Sequence, residues 1–255
     1  MITLVVDLDK NLFKRSRIMS DINNMKIHGL QKMTLLDFPG QVACTVFLGG
    51  CEFRCPYCHN TELLDPNAPE LMKGEELFSF LKKRQGLLDG VAITGGEPLL
   101  RSELPELLKA IRELGYKTKL DTNGNHPDEL KAVVEAGLVD YVAMDIKNSP
   151  ERYGETVGIP NLDITKVKRS VEYLINDSNS IEYEFRTTTL KQFHDEESFK
   201  KIAEWIKGAK KYYIQNFVDR ETVPFAGLEP HDEENLQKFL NIVTPYVGVA
   251  ELRGV

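Results

Sequence analysis

The chain has 255 residues, 42% apolar and 28% charged, with ordinary numbers of Gly and Pro, which suits a globular protein of one large α/β domain or two small ones. Its net charge of −7, from 32 basic and 39 acidic residues, excludes a broad basic face for nucleic acid and leaves room only for a local basic pocket. No apolar run approaches the roughly 18–20 residues needed to cross a bilayer, so neither nucleic acid nor membrane is an expected partner.

In chain order, MITLVVDLDKNLFKRSRIMSDINN is not a signal peptide. Its apolar stretch is broken by Asp7 and Asp9, and no small-residue cleavage site follows. Residues 1–24 read as an N-terminal extension, loosely ordered or upstream of the working start, and residues 25–255 as one folded domain. Strands are predicted at Val42–Leu48, Val91–Thr94, Lys117–Asp121, Tyr141–Ile146, Glu182–Thr188 and Tyr212–Gln215. Helical patterns fall at about 74–85, 103–114, 128–136, 164–176, 195–207 and 232–243. The spacing of Leu104, Leu107, Leu108, Ile111 and Leu114 is helical, and Gly115 and Gly137 supply stop signals.

Strands alternating with helices imply βαβ units and a parallel sheet. Six repeats fall short of the eight that close a complete barrel, so the expected fold is α/β, an open, partial (β/α)6 barrel of TIM-like type. In such barrels chemistry collects where strands end. The cysteine loop follows the first predicted strand and TGGEP the second; DTNG, MDIK, FRTTT and IQNF close the other four. Unusual polar and glycine residues thus gather at one edge, which a purely structural reading does not explain.

GGCEFRCPYCHN carries three of the four cysteines, Cys51, Cys55 and Cys58, spaced C-x3-C-x2-C. That is no disulfide framework, and it fits a metal or redox site in a reducing compartment, hence a cytoplasmic location. Soft sulfur ligands suit iron–sulfur clusters or zinc. A zinc site would use His59 as fourth ligand, although adjacent Cys58 and His59 would strain a tetrahedron. A cubane normally takes four cysteines, and Cys44, inside a strand, should point into the core. Three ligands would leave one iron open for a substrate or cofactor. Both readings stand on spacing alone.

The remaining motifs each have a bland alternative. TGGEP could be a turn, DTNG an Asx turn, Asp145 with Lys147 a surface pair, and Arg186 a partner for Glu184. Asp145 and Lys147 are two residues apart on a strand and face one side. His28, His126, His194 and His231 read as capping or solvent-exposed, and Trp205 as core.

Together, C-x3-C-x2-C with Tyr57 before the last cysteine, TGGEPLL, LDTNG and MDIK resemble the radical S-adenosylmethionine (SAM) superfamily, in its glycyl-radical-enzyme activating branch. The likeness runs from about Met25 onward and is greatest to activating proteins of anaerobic ribonucleoside-triphosphate reductase, with pyruvate formate-lyase activating enzymes as near relatives. It implies a [4Fe-4S] cluster on Cys51, Cys55 and Cys58, with SAM on the fourth iron. It further implies that Tyr57 and the backbone to His59 meet the adenine, and that Gly95, Gly96 and Glu97 receive the SAM amino group. Asp121, Thr122 and Asp145 would surround the methionine moiety or a monovalent cation. Lys147 and Arg186 would lie near the SAM carboxylate. Gln215 stands where relatives place a ribose-binding histidine, which weakens the match to pyruvate formate-lyase activases.

The implied activity is an oxidoreductase that makes a glycyl radical on a partner enzyme, with anaerobic ribonucleoside-triphosphate reductase as the expected partner and flavodoxin or ferredoxin as the electron donor. The rivals are a radical SAM enzyme acting on a small molecule or nucleoside, such as a 7-carboxy-7-deazaguanine synthase, and a zinc-bound interaction module. Relatives with auxiliary clusters need more cysteines than Cys44 alone provides.

Overall fold

The computed structural model describes residues 22–177 and 181–254. Of the segment read as an extension, residues 1–21 lie outside the described residues. Residues 22–24 are helical, and Ile22 is buried in the main core, so the folded unit begins before Met25.

A short antiparallel pair, β1 (Lys26–Ile27) with β4 (Met72–Lys73), flanks an eight-stranded sheet. The sheet strands are β2 (Gly29–Thr34), β3 (Ala43–Leu48), β5 (Gly90–Gly95), β6 (Lys117–Thr122), β7 (Tyr141–Asp145), β8 (Glu182–Thr189), β9 (Lys211–Asn216) and β10 (Val249–Arg253). They lie in that spatial order, and every neighbouring pair is parallel except β2 with β3. The order is linear and does not close, as expected for an open barrel. Strands β2 and β10 extend the six predicted units at the two edges.

The helices follow the predicted pattern within a residue or two. They are α1 (Gly74–Arg84), α2 (Leu104–Glu113), α3 (Pro127–Glu135), α5 (Thr165–Asn176), α6 (Glu196–Trp205) and α7 (Glu233–Val243), with one additional turn, α4 (Tyr153–Thr156).

The strand period of two sorts the sheet into unlike faces. Cys44, Val46, Leu48, Val91, Ile93, Leu120, Val142, Met144, Tyr183, Phe185, Tyr212 and Ile214 pack with the helices in one apolar core. Cys44 therefore sits in the core and away from the cysteine loop. The alternate positions face the barrel interior. At one level Ala43, Tyr141 and Ala143 close around Phe38 as a plug. Above it the interior residues are charged, and they form the floor of the site.

Candidate functional site

The loop after β3 carries the three cysteines and is held from several sides. Gly50 N donates to Leu63 O at 2.8 Å, Glu97 N to Gly50 O at 2.7 Å, and Arg54 N to Val157 O at 2.8 Å. Phe53 is buried against Tyr153, ring centroids 6.5 Å apart, and anchors the loop centre. Arg54 turns its guanidinium back onto the carbonyls of Cys51 and Phe53, at 2.6 and 2.8 Å. On the far side, His59 donates to Val218 O at 2.7 Å and stacks on Phe217.

Gly95 and Gly96 are required by this packing. A Cβ on Gly95, whose φ is +123°, would meet Leu48 O at 2.3 Å, and one on Gly96 would meet Gly50 O at 2.2 Å. The sequence reading assigned both glycines to ligand approach. They line the cavity, and they also let the β5 exit press against the cysteine loop.

The cavity has a volume of about 840 Å³ and lies at the carboxyl ends of the strands. Cys51, Cys55, Cys58, Tyr57, His59, Gly95, Gly96, Asp121, Thr122, Asp145, Lys147, Arg186 and Gln215 all line it, so the expected site residues converge, with one exception. Glu97 lies behind the wall. Its carboxylate is buried and accepts from Leu99 N at 3.0 Å, Thr122 Oγ1 at 2.9 Å and Asn123 N at 2.7 Å. It clamps the β6 loop. Burial outweighs those donors and pushes its pKa up to about 7.

A charged ladder fills the floor. Asp121 is paired with Lys119, which is buried, and with Arg186 at 3.5 Å. Asp145 takes Lys147 at 2.9 Å and Arg186 Nε at 3.0 Å. Burial opposes ionisation of Asp145, but Arg186 and Lys147 override it and draw the pKa down to about 2. Burial likewise opposes the charge on Lys147, and Asp145 with its other acidic neighbours holds the ammonium firmly protonated. Arg186 does not pair with Glu184. That fully buried carboxylate receives Arg253 at 2.7 and 3.1 Å and the Tyr141 hydroxyl at 2.7 Å.

Lys119 and Arg253 were missed from sequence. Asp121 and Asp145, expected around the SAM methionine moiety or a monovalent cation, are paired here with the side-chain cations Lys119, Lys147 and Arg186. His126 takes the N-cap position of α3 as expected, without a side-chain cap bond, and the other histidines are more enclosed than expected. His194 is buried, donating to Lys147 O at 2.8 Å and accepting from Leu190 N. His126 reaches back to Glu52 at 3.1 Å, and His28 accepts from Gly49 N at 2.9 Å. His231 lies edge-on to Phe239, and Trp205 packs half-buried at the core rim against Tyr153.

Tyr57 is buried with Leu190 and Phe217, and its hydroxyl has no hydrogen-bond partner among the described residues. An orphaned buried phenol on a cavity wall suits a polar ligand. All four cysteines are free thiols. Burial raises Cys51 to about 12 and Cys55 to about 11, so both are protonated until a cationic centre displaces the proton. Among the described residues no three His, Cys, Asp or Glu side chains gather as one metal ion requires. Three thiols in one loop are soft ligands that suit an iron–sulfur cluster.

Residues 45–206 match the family model described as the radical SAM superfamily. The chain belongs to the radical SAM superfamily. Within it, a Methanocaldococcus jannaschii protein named as a glycyl-radical enzyme activating enzyme is 30% identical over 234 residues, covering 90% of this chain and 96% of that one. A pyruvate formate-lyase-activating enzyme of Staphylococcus epidermidis is 27% identical over 227 residues, covering 82% and 84%. These place the chain in the activating branch. Among solved structures, Streptococcus suis SuiB bound to its precursor peptide SuiA aligns with a TM-score of 0.63 at 15% identity, a likeness of fold. It covers 82% of this chain, which spans about half of the SuiB chain, 48%. Radical SAM proteins use a [4Fe-4S] cluster and SAM.

Proposed function

We propose that this radical SAM activase generates a glycyl radical on anaerobic ribonucleoside-triphosphate reductase, taking electrons from a flavodoxin or ferredoxin in the cytoplasm. The observation that carries the reading is one cavity walled by three free thiols and floored by a buried ionic ladder. The choice of partner rests on the motif resemblance and on Gln215 and Asn216 at the β9 exit, where pyruvate formate-lyase activases are expected to carry histidine. Arrival of all four predicted motif strands at one rim counts against a zinc module.

Cys51, Cys55 and Cys58 hold the cluster. The cluster they would hold, together with SAM, would supply the one-electron radical chemistry needed at a glycine α-carbon. The chain's own part is positional. Lys119, Lys147 and Arg186 carry three positive charges against the two of Asp121 and Asp145, which leaves the floor ready for a ligand carboxylate. His194 fixes the Lys147 carbonyl and so sets where that ammonium stands. Tyr57 contributes an unpaired hydroxyl, and His59, tied to Val218 O, presents a ring face to the adenine side. The Phe38–Tyr141 plug keeps water from entering beneath.

The test is anaerobic reconstitution followed by mixing with ribonucleoside-triphosphate reductase or with pyruvate formate-lyase. A glycyl radical signal by electron paramagnetic resonance with the reductase, and none with the lyase, supports the proposal. The reverse pattern overturns the partner. Full iron loading without 5′-deoxyadenosine formation overturns the radical reading.

A further inference from the structure

The β6–α3 loop and the cysteine loop are joined by one carboxylate. Glu52 Oε1 accepts from Asn123 Nδ2 at 3.2 Å, Asn125 Nδ2 at 3.1 Å and His126 Nε2 at 3.1 Å. None of these residues has a part in the activity described so far. Asn123 is the most constrained of them. Its backbone N–H is held by Glu97 Oε2 at 2.7 Å, and its side-chain Oδ1 accepts from Asn125 N at 2.9 Å. Flipping the amide would break the second bond and set Oδ1 against the Glu52 carboxylate. With Nδ2 outward, the amide nitrogen donates to Glu52 at 3.2 Å and stands 4.0 Å from Cys51 Sγ.

We propose that Asn123, oriented by Glu52, is a hydrogen-bond donor to the Cys51 sulfur that sets the reduction potential of the cluster bound there; the inference rests on the proposed ligand set. The step is the gain of one electron by the cluster from the external donor, with no bond made or broken and no proton taken up. The added negative charge spreads onto the sulfurs. A donor aimed at one of them strengthens as that charge grows and stabilises the reduced form. Glu52 acts in the opposite sense. Its carboxylate lies next to Cys51 along the chain and repels the incoming electron, while its three donors hold it in place. The pair therefore imposes two opposed influences through a single thiolate.

The experiment is potentiometric titration of the reconstituted protein without SAM, read by electron paramagnetic resonance. Asn123→Ala and Asn123→Ser remove the amide N–H donor, and the shorter serine hydroxyl can still accept from Asn125 N. Both should bind as much iron as the wild type and shift the midpoint to more negative values. Glu52→Gln keeps an acceptor for Asn123 but loses the charge, and should shift the midpoint upward. Opposite signs from two residues in one network would not come from mere loosening of the loop. Loaded Asn123 variants with an unchanged or raised midpoint overturn the inference, as does a lowered midpoint in Glu52→Gln. A wild-type chain that takes up no cluster overturns the ligand set itself, and so is distinguishable.

Discussion

Lys119 and Asp121, two residues apart on β6, place an ammonium and a carboxylate side by side inside the barrel, the lysine almost wholly removed from solvent. Strand geometry puts both on one face, and the parallel neighbours β7 and β8 bring Asp145 and Arg186 across to them. The Lys119 ammonium does for Asp121 what a bound monovalent ion would do. The wild type should therefore cleave SAM equally well in sodium, potassium or choline salts. Lys119→Met leaves Asp121 with Arg186 as its remaining partner, so the loss should fall below the roughly 3–5 kcal/mol of a fully unpaired buried charge. We expect a lowered melting temperature, weaker SAM binding by calorimetry, and partial recovery in potassium that the wild type does not show.

The cysteines divide by position. Cys51→Ala should abolish cluster uptake, measured as iron per chain and visible absorption. Cys44→Ala should retain it, because that thiol packs behind β3 among Val46, Val91 and their neighbours. Its cost is confined to stability, on the order of 1 kcal/mol for a small buried group. Equal iron loss in the two variants would overturn the division.

Gly96→Ala drives a methyl group into Gly50 O, which is backbone and cannot swing aside. Overpacking of this kind costs roughly 1–3 kcal/mol. Because the obstacle is the cysteine loop itself, iron content should fall along with stability. A destabilised variant with full iron would show that the loop tolerates displacement.

His194 makes stability sensitive to acid. Burial lowers its pKa from 6.5 to about 4. The unfolded chain therefore binds a proton between those values that the folded chain refuses, and stability falls as pH drops through that window. The slope is at most about 1.4 kcal/mol per pH unit from this site. Denaturant titrations of the cluster-free protein from pH 7 to 4 should show a shallower decline in His194→Gln than in the wild type.

Much of the fold could be read from sequence because the helix-facing strand positions are apolar, many of them β-branched or aromatic, and the helices carry a clear 3.6 period. Strands β2 and β10 could not. GLQKMT and VAELR lie at sheet edges, half-exposed, and lack the apolar run that marks a central strand. The cysteine loop and the three motifs that follow it, TGGEPLL, LDTNG and MDIK, could be placed at one rim from sequence because barrel strands end there. Lys119 was overlooked, although the alternation used for Asp145 and Lys147 also puts it beside Asp121. Glu97 shows the opposite limit. Residue type alone does not say whether a carboxylate faces a ligand or its own backbone, and three local donors claim this one. Arg253 left no signal, since its partner Glu184 lies two strands away in the sheet.

Cys51 and Arg253 line the same cavity from nearly opposite ends of the described chain. During synthesis the thiols leave the ribosome long before β10 exists to complete the chamber around them. Contacts this distant in sequence form late. A carrier that reached the nascent loop would meet three thiols whose enclosing walls have yet to be made.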